Sequence, residues 1–504
     1  MSATTPPEDL RRHARVSPER IACVDGEVQV TFAALADTVD VWAAELTASG
    51  VRPGDRVVML LDNSARFLGM YLATLSVGAV AVPLNPLGGT ASVTEPIRDA
   101  APRLIVCETR MADAVAGSFG AGDPARELPG SALGGSTSLV APATTEHEDL
   151  DATGASLAVI IYTSGSTGPP KGVMLSIANM NAIAQAGCGF VDLDPDDRLG
   201  VVTPMFHLYA LREMDAALRS GATLVLPKAL AFPASVMQQL HRERVTGISG
   251  VPSGFLLITE GFELQLATLA DHLRYLALGT AVAAPALLAT LGGALPTTRV
   301  LVTYGLTELS RACYREVTDP DERPGSVGKP YPGVELEIRG EGDIAVGPST
   351  PGRVILRSAM VMQGYWRCPD LTARTLLPDG ALLTPDIGSV DEQGSLYLLG
   401  RADDIINSGG EKIGPDEVEQ VLREHPAVHD VAVTGAPDPA GVLGEVVKAW
   451  VVRAPGAKLD AEEVRRHCAA RLEPAKVPRL VEFCGTLPKT ALGKTSRAML
   501  GREG

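Results

Sequence analysis

The segment Tyr162–Gly172, YTSGSTGPPKG, has the composition of a loop that could hold phosphate. Nine of its eleven residues are glycine, serine, threonine or proline. Backbone amides without a β-carbon can approach a phosphate closely, and the charge of Lys171 would balance part of the charge of the phosphate. The hydroxyl groups that add further donors are those of Thr163, Ser164, Ser166 and Thr167. The segment predicts a phosphate site, although an ordinary surface loop can have the same composition.

Two common nucleotide-binding motifs do not account for this loop. The Walker spacing G-x-x-x-x-G-K-[ST] is absent from it, and the GKT at Gly493–Thr495 fails because Pro488 stands five positions before Gly493. No G-x-G-x-x-G follows a predicted strand. The loop follows the apolar run LAVIIYT and precedes LSIANMNAIAQAG, so we expect it to lie between a strand and a helix.

The elements around the loop alternate between strand-like and helix-like patterns. Short β-branched runs that predict buried strands are DRVVMLL, GAVAVPL, RLIVCET and LAVIIYT, and TFAALADTVDVWAAELTASG predicts a helix. Repeated strand, helix and strand indicate α/β architecture with mainly parallel sheets, running from about residue 21 to residue 197. Residues 116–155 are rich in Gly, Ser, Ala and Pro, and predict a surface loop.

A second α/β stretch follows, and then a change of pattern. GVELEIRG, GRVILRS and GSLYLLGR predict antiparallel strands. From Asp404 a helix, two strands and a helix form a unit of about 100 residues, enough for a small domain. We therefore predict a large domain over residues 1–402, with an antiparallel β subdomain, and a small α+β domain over residues 403–504.

Composition excludes several classes of function. The chain has 504 residues and a formal net charge of −16, which argues against a nucleic-acid or membrane-surface partner. The seven cysteines show no metal-binding spacing, and the first residues lack the apolar core of a signal peptide. The longest apolar run, Phe67–Leu84, contains glycines and Pro83, and predicts a buried helix followed by a strand. We expect a cytoplasmic protein.

Several motifs in order along the chain resemble the adenylate-forming superfamily, which includes acyl-CoA synthetases, peptide-synthetase adenylation domains and luciferases. Besides the loop, the matching segments are YGLTE (Tyr304–Glu308), VMQGYW (Val361–Trp366), TPDIG (Thr384–Gly388), GRADDIINSGGEKIGPDEVE (Gly400–Glu419) and LPKTALGKTSR (Leu487–Arg497). The resemblance is nearest to free-standing AMP-forming acyl-CoA ligases. It implies that ATP and Mg²⁺ are used to join a carboxylate to the α-phosphorus, and that the acyl group then passes to a thiol such as that of coenzyme A.

The resemblance also implies roles for individual residues in binding ATP. Thr307 would contact the α-phosphate and Glu308 would hold Mg²⁺, while Asp386 and Arg401 would bind the ribose. The β- and γ-phosphates would lie against Thr163, Ser164, Gly165, Ser166, Thr167, Gly168 and Lys171, and adenine against Gly279, Thr280, Ala281, Tyr304 and Gly305. The family usually has glycine where Pro385 stands, so any contact through that backbone amide would be lost.

The resemblance further implies that the small domain rotates and presents two different sets of its residues to the active site in turn. Lys494 matches the lysine that bridges the carboxylate and the α-phosphate. Asp403 matches the hinge about which the small domain rotates. Gly409 and Gly410 would then line the tunnel for the thiol.

The resemblance also places the acyl pocket around His207 and beside the YGLTE motif. His207 matches a residue that gates the acyl entrance, and the pocket candidates are Leu208, Arg212, Glu213 and Ser310. Two interpretations of the segment after His207 compete. Either Arg212 and Asp215 pair on an exposed helix face, or Arg212 or Glu213 faces a polar or charged substrate such as an amino-aryl acid or a dicarboxylate.

Three functions are compatible with these residues. The first is a ligase, a monomer or homodimer, that activates a polar or aryl acid and transfers it to coenzyme A. The second is an adenylating enzyme that loads a carrier protein, or that activates a non-carboxylate such as nitrite for coupling to an amine. The third is a degenerate homologue that only binds ligand, which the presence of Glu308, Asp386, Arg401 and Lys494 disfavours.

Overall fold

The structure is a computed structural model that describes most of the chain. The described residues are 4–87, 90–119, 126–129, 132–142, 157–163, 170–227, 233–280, 283–317, 325–402, 404–408, 411–441, 443–489, 495 and 497–500.

The described helices and strands follow one another in α/β alternation over the first three hundred residues. The α-helices are α1 (Pro6–Val16), α2 (Phe32–Ala48), α3 (Ala65–Ser76), α4 (Thr90–Ala100), α5 (Ala112–Phe119), α6 (Ile177–Phe190), α7 (Leu208–Ser220), α8 (Pro233–Arg242), α9 (Pro252–Leu269), α10 (Pro285–Ala294), α11 (Pro369–Thr375), α12 (Pro415–Arg423), α13 (Ala461–Ala469) and α14 (Arg497–Leu500). The strands are β1 (Ile21–Asp25), β2 (Val28–Thr31), β3 (Arg56–Leu60), β4 (Val80–Pro83), β5 (Leu104–Glu108), β6 (Arg126–Glu127), β7 (Thr137–Val140), β8 (Leu157–Thr163), β9 (Lys171–Ser176), β10 (Arg198–Val201), β11 (Thr223–Leu226), β12 (Gly247–Gly250), β13 (Tyr275–Leu278), β14 (Arg299–Tyr304), β15 (Cys313–Glu316), β16 (Lys329–Pro330), β17 (Glu335–Arg339), β18 (Gly352–Arg357), β19 (Gly364–Tyr365), β20 (Leu382–Val390), β21 (Leu396–Arg401), β22 (Ile406–Ser408), β23 (Glu411–Ile413), β24 (Val428–Pro437), β25 (Glu445–Arg453) and β26 (Leu480–Phe483).

Two large sheets form the body of the molecule. The first has eight strands in the order β19-β9-β8-β4-β3-β5-β7-β6, with parallel pairing from β8 to β5 and antiparallel strands at both edges. The second has nine strands in the order β16-β15-β14-β13-β12-β10-β11-β1-β2, parallel from β14 to β1. The predicted α/β fold with mainly parallel sheets is confirmed.

Helices α3, α6 and α7 lie between the two sheets. One buried cluster contains Met59 of the first sheet, Leu199 of the second, and Leu72, Ile183 and Leu211 from these three helices. Because α7 packs between the sheets, its side chains are covered on every side: all of its residues from Leu208 to Leu218 are buried. This placement decides the environment of the charged residues on α7.

The later part of the chain forms antiparallel structure. Strands β17, β18, β20 and β21 form a four-stranded sheet, as predicted from their glycine-bounded pattern. After it come the β22–β23 hairpin and the β24-β25-β26 sheet, on which α12 and α13 pack around Val418, Val433 and Val464. Gly414, which precedes α12, lies so close to β21 that a β-carbon would stand 1.9 Å from the carbonyl oxygen of Leu399.

Two local expectations were wrong, and one strand pairing was not predicted. Strand β8 is followed by the antiparallel strand β9, and α6 begins only at Ile177, so residues 164–170 connect two strands and not a strand and a helix. Within residues 116–155, Thr137–Val140 forms the fully buried strand β7, which extends the first sheet through pairing with β5. The N-terminal strands β1 and β2 join the second sheet, because β1 pairs with β11 about two hundred residues later.

Candidate active site

Tyr304 and Asp386 meet at the junction of the second sheet and the antiparallel sheet. Tyr304 is the last residue of β14, and its hydroxyl donates a short hydrogen bond to Oδ2 of Asp386 on β20. Thr384 fixes the strand beside Asp386: its hydroxyl donates to the carbonyl of Val354 at 2.8 Å and accepts the backbone N–H of Asp386 at 3.1 Å. The structure thus brings together a tyrosine and a carboxylate that the sequence assigned to adenine and ribose.

Arg401 lies directly opposite Asp386 in the antiparallel ladder of β20 and β21. Burial raises the pKa of Asp386, while the Tyr304 hydrogen bond and the positive charge of Arg401 oppose that shift. Asp416 and Glu308 also act on Asp386, by raising its pKa. Asp386, Arg401 and Glu308 therefore share one electrostatic environment, although they are far apart in sequence.

Glu308 stands on a tight turn that follows β14. The backbone N–H of Ser310 bonds the carbonyl of Leu306 at 2.6 Å, and Ser310 has a φ of +74°. A β-carbon at Gly305 would lie 2.0 Å from the Ser310 carbonyl oxygen, so this close turn requires glycine there. The hydroxyl of Tyr365 donates to Oε1 of Glu308 at 2.7 Å. Thr307, on the same turn, is half-buried.

The two ends of the predicted phosphate loop are adjacent. Thr163 and Lys171 are cross-strand partners in the β8–β9 hairpin, and the Thr163 hydroxyl donates to the Lys171 carbonyl at 3.4 Å. The other predicted loop residues lie outside the described residues; they are Ser164, Gly165, Ser166, Thr167 and Gly168.

The predicted adenine wall follows β13. A β-carbon at Gly279 would lie 2.6 Å from the Tyr209 ring and 2.7 Å from the Thr303 hydroxyl, so glycine lets α7 and β14 approach closely. Thr280 adopts a φ of +70°. Its hydroxyl is buried and has no hydrogen-bond partner among the described residues. Ala281 lies outside them.

The exposed-face interpretation of α7 is wrong, because Arg212, Glu213 and Asp215 are 2%, 7% and 1% exposed. Asp215 does not pair with Arg212 and instead accepts a hydrogen bond from the Tyr71 hydroxyl at 3.1 Å. Arg212 contacts Glu213 (Nε to Oε1, 3.3 Å), and its Nη1 donates to the Ser310 carbonyl at 3.2 Å. His207 lies immediately before α7 and makes no capping hydrogen bond through its side chain, and Leu208 is buried.

All four small-domain candidates lie outside the described residues: Asp403, Gly409, Gly410 and Lys494. Their neighbours are described. Arg497, three residues after Lys494, forms ion pairs with Asp404, Asp416 and Glu419. The segment after Lys494 is thereby tied to the residue that follows the predicted hinge.

Three residues near the site were not predicted, namely Tyr209, Arg311 and Tyr365. Tyr209 and Tyr365 lie inside segments that the sequence had already singled out, and Arg311 directly follows the pocket candidate Ser310. Tyr365 bonds Glu308, the Tyr209 ring lies 3.8 Å from the guanidinium carbon of Arg212, and Arg311 contacts Glu213 at 3.0 Å. Motif order indicated the segments, but only packing shows which of their side chains meet.

Two family models match the chain. The model of the AMP-binding enzyme family covers residues 10–366, and that of the AMP-binding enzyme C-terminal domain covers residues 417–494. The first match covers more than half of the 504 residues. The chain therefore belongs to the AMP-binding enzyme family, and the predicted class, an AMP-forming acid–thiol ligase, is confirmed.

Individual relatives match over nearly the full length. A feruloyl-CoA synthase from Amycolatopsis sp is 34% identical over 498 residues, which cover 98% of this chain and 97% of the relative. The structure of ATP-bound MatB from Rhodopseudomonas palustris gives a TM-score of 0.85 at 27% identity and 99% coverage of both chains. The amide bond synthetase McbA from Marinactinospora thermotolerans also gives 0.85, at 29% identity, with 98% of this chain and 99% of that chain covered.

Two features are absent from the described residues. None of their helices combines the length and the apolar character needed to cross a bilayer. They also contain no group of three or more His, Cys, Asp or Glu side chains that could hold a metal ion.

Proposed function

We propose that this chain uses ATP to activate a polar or aromatic carboxylic acid and then transfers the acyl group to coenzyme A. The observation that carries the proposal is the meeting of Tyr304, Asp386 and Arg401, three residues whose predicted roles all concern ATP. The likeness to a feruloyl-CoA synthase supports an aromatic acid and coenzyme A as substrates.

The nucleotide would lie along the junction between the two sheets. Asp386 and Arg401 would hold the ribose, since a carboxylate accepts hydroxyl donors and a guanidinium donates to hydroxyl oxygens. Adenine would lie between Tyr304 and the glycine-containing wall at Gly279. The phosphates would extend toward the β8–β9 hairpin, whose loop and Lys171 would bind the β- and γ-phosphates.

Mg²⁺ would be held by Glu308. The carboxylate is half-buried, and one of its oxygens accepts from Tyr365, which orients the group. The described residues form no cluster of three metal ligands, which suits an ion held by one carboxylate together with nucleotide phosphates. When bound, the ion supplies charge neutralisation for the phosphates.

The reaction would proceed in two displacements. A carboxylate oxygen of the acid attacks the α-phosphorus, the bond to the bridging oxygen breaks, and pyrophosphate leaves. The thiol sulfur then attacks the acyl carbon, AMP leaves, and the thiol proton is lost to solvent. Thr307 and Lys494 would hold the α-phosphate and the reacting carboxylate in line, a positioning role that lowers the entropic part of the barrier.

Rotation of the small domain at Asp403 would separate these displacements. Lys494 would serve the first, and Gly409 and Gly410 would line the thiol tunnel in the second. The ion pairs from Arg497 to Asp404 and Glu419 support a small domain that moves as one body, beginning at residue 403. We place the enzyme in the cytoplasm, as a monomer or homodimer.

A second acceptor remains a candidate because of the likeness to an amide bond synthetase. In that case the acyl group of the adenylate, or the group activated from a non-carboxylate such as nitrite, would be transferred to the nitrogen of an amine, and AMP would leave. A carrier-protein thiol is the other alternative to coenzyme A.

Pyrophosphate release from ATP and Mg²⁺ tests the proposal. Fatty, aryl, amino-aryl and dicarboxylic acids and nitrite are compared, each with and without coenzyme A. We expect release with polar or aryl acids and a thioester only when coenzyme A is present. Release without any effect of coenzyme A would favour the amine or carrier-protein acceptor, and no release with any substrate would contradict the proposal.

The matched variants are Lys494→Ala and Lys458→Ala, because Lys458 is an exposed lysine of the same predicted domain. We expect the first variant to lose acyl-adenylate formation but to keep thioester formation from supplied acyl adenylate. The second should behave as the unaltered enzyme in both assays. Equal loss of both half-reactions in Lys494→Ala would contradict the role given to this residue.

A further inference from the structure

Three charged side chains form a buried charge cluster between α7 and the turn after β14. They are Arg212, Glu213 and Arg311, which are 2%, 7% and 5% exposed. Oε1 of Glu213 accepts from Nε of Arg212 at 3.3 Å and from a terminal nitrogen of Arg311 at 3.0 Å. The Tyr209 ring lies under Arg212, and the Tyr331 ring lies 5.6 Å from Arg311.

The cluster adjoins the residues expected to carry out adenylation. Arg212 donates to the carbonyl of Ser310, which closes the turn bearing Glu308. Tyr209 connects the cluster to Gly279 on the predicted adenine wall. A small acid whose carboxylate is held near this turn therefore has the cluster within reach of its other end.

The charges in the cluster do not balance. It contains two guanidinium groups and one carboxylate, and among the described residues no other carboxylate lies within ion-pair distance of either guanidinium. Arginine cannot discharge itself by losing a proton under physiological conditions. The cluster thus keeps about one uncompensated positive charge in a buried place, which is costly unless an anion is bound there.

Unused hydrogen-bond donors accompany the unbalanced charge. Nη2 of Arg212, Nε of Arg311 and the Ser310 hydroxyl are buried without a hydrogen-bond partner among the described residues. Buried polar groups normally have hydrogen-bond partners, so these three groups could donate hydrogen bonds to a bound ligand. Burial, and then the neighbouring charge of Arg311, lower the pKa of Arg212, whereas against its burial the pKa of Arg311 is raised by the charge of Glu213. Arg212 is therefore the guanidinium of the cluster that lacks sufficient negative charge nearby.

We infer that the buried charge cluster binds a second anionic group of the acid substrate, so that the preferred substrates are acids with a further carboxylate. This inference rests on the proposed function and narrows its substrate class. A planar carboxylate matches the fork of donors that a guanidinium presents. A cationic amino group is disfavoured, because it would add a third positive charge beside a single carboxylate.

Matched pairs of acids test the inference by changing only the charge of the remote group. The pairs are glutarate and glutaramate, adipate and its monoamide, isophthalate and 3-carbamoylbenzoate, and terephthalate and 4-carbamoylbenzoate. The measurement is kcat/KM for pyrophosphate release. For at least one pair we expect the diacid to be preferred by about 10- to 100-fold, the range for a hydrogen bond to a charged group.

Variants of Arg212 test whether this residue causes the preference for diacids over monoamides. In Arg212→Leu the preference should fall to within about threefold, a difference of less than 1 kcal/mol, whatever the change in the absolute rate with the monoamide. Arg212→Lys keeps a charge and should keep part of the preference. The control is Arg219→Leu on the same helix, which lies outside the cluster and should leave the preference unchanged.

The outcomes separate this inference from the proposed function. Pyrophosphate release with monoamides equal to or above that with diacids in every pair would overturn the inference and leave the ligase intact. A preference for diacids that survives unchanged in a folded Arg212→Leu would also overturn it. Release with none of the acids would remove the proposed function itself. If Arg212→Leu does not fold, the comparison of pairs in the unaltered enzyme and in Arg212→Lys decides.

Discussion

Helix α7 buries acidic and basic groups on two of its sides, and the two sides satisfy them differently. Toward α3, Asp215 lies against the Tyr71 hydroxyl, and burial raises its pKa to about 8. Toward the turn after β14, Glu213 lies between Arg212 and Arg311. Asp215 can hold a proton and become neutral, whereas the guanidinium groups cannot lose theirs.

The difference shows that burial of charged residues does not by itself indicate a ligand site. The Tyr71–Asp215 pair needs no counter-ion, because a protonated carboxyl group carries no charge, although Oδ1 of Asp215 is buried without a hydrogen-bond partner among the described residues. The buried charge cluster is incomplete, because a positive charge and several donors are left over. This is why we assign a ligand to one side of α7 and a structural role to the other.

The largest expected effect compares Glu213→Gln with Asp215→Asn at pH 7. Removing the charge of Glu213 leaves two buried guanidiniums without a carboxylate, which should lower the free energy of unfolding by about 3–5 kcal/mol. Asp215 is already largely protonated at this pH, so Asp215→Asn should change the free energy of unfolding by less than about 1 kcal/mol. Urea unfolding of both variants checks the prediction, and equal losses would contradict the distinction between the two sides.

The second prediction concerns pH. The Asp215 carboxyl keeps its proton in the folded state up to about pH 8, whereas in the unfolded chain it loses its proton near its ordinary value of 3.8. The folded state therefore binds the extra proton, and the contribution of this group to stability falls as pH rises through that window. Between pH 6 and pH 8 the decrease should be about 2 kcal/mol.

Subtracting the pH profile of Asp215→Asn from that of the unaltered protein isolates this effect from all other titrating groups. Nearby charged residues are Asp9, which raises the pKa of Asp215, and Arg219, which lowers it. A difference profile that is flat from pH 6 to pH 8 would mean that Asp215 is ionised in the folded protein, and the two sides of α7 would then not differ in kind.

The smallest predicted effect is that of Tyr71→Phe. The change removes the hydroxyl that donates to Oδ2 of Asp215 at 3.1 Å and leaves the ring in place. We expect a loss of about 1–2 kcal/mol in the free energy of unfolding, the usual cost of removing one buried partner. Selectivity among acids should stay unchanged, and a shift in selectivity would connect this pair to the substrate.

Much of the fold follows from local patterns. The run Phe67–Leu84 forms most of α3 and all of strand β4 as expected, because continuous apolar sequence is buried whichever element it adopts. Motif order also predicted that Asp386 and Arg401 would be neighbours, and they are opposite one another in adjacent strands.

The environment of α7 could not be predicted in the same way. Its apolar residues recur every three or four positions, which suggests one buried and one exposed face. The helix is instead covered from all directions by α1, α6 and the second sheet. Periodicity shows which residues are apolar, but it does not show what packs against the polar face of a helix. That contact depends on elements far away in the sequence. The pairing of β1 with β11 could not be predicted for the same reason, because the two strands are about two hundred residues apart.

A competition assay tests the central claim most directly. The unaltered enzyme, ATP, Mg²⁺ and coenzyme A are incubated with equimolar diacid and monoamide of each pair, and mass spectrometry measures the acyl adenylates and thioesters formed. We predict that products of the diacid exceed those of the monoamide by about tenfold or more in at least one pair. Products of the monoamide that equal or exceed those of the diacid in every pair would contradict the claim that an anion completes the buried charge cluster.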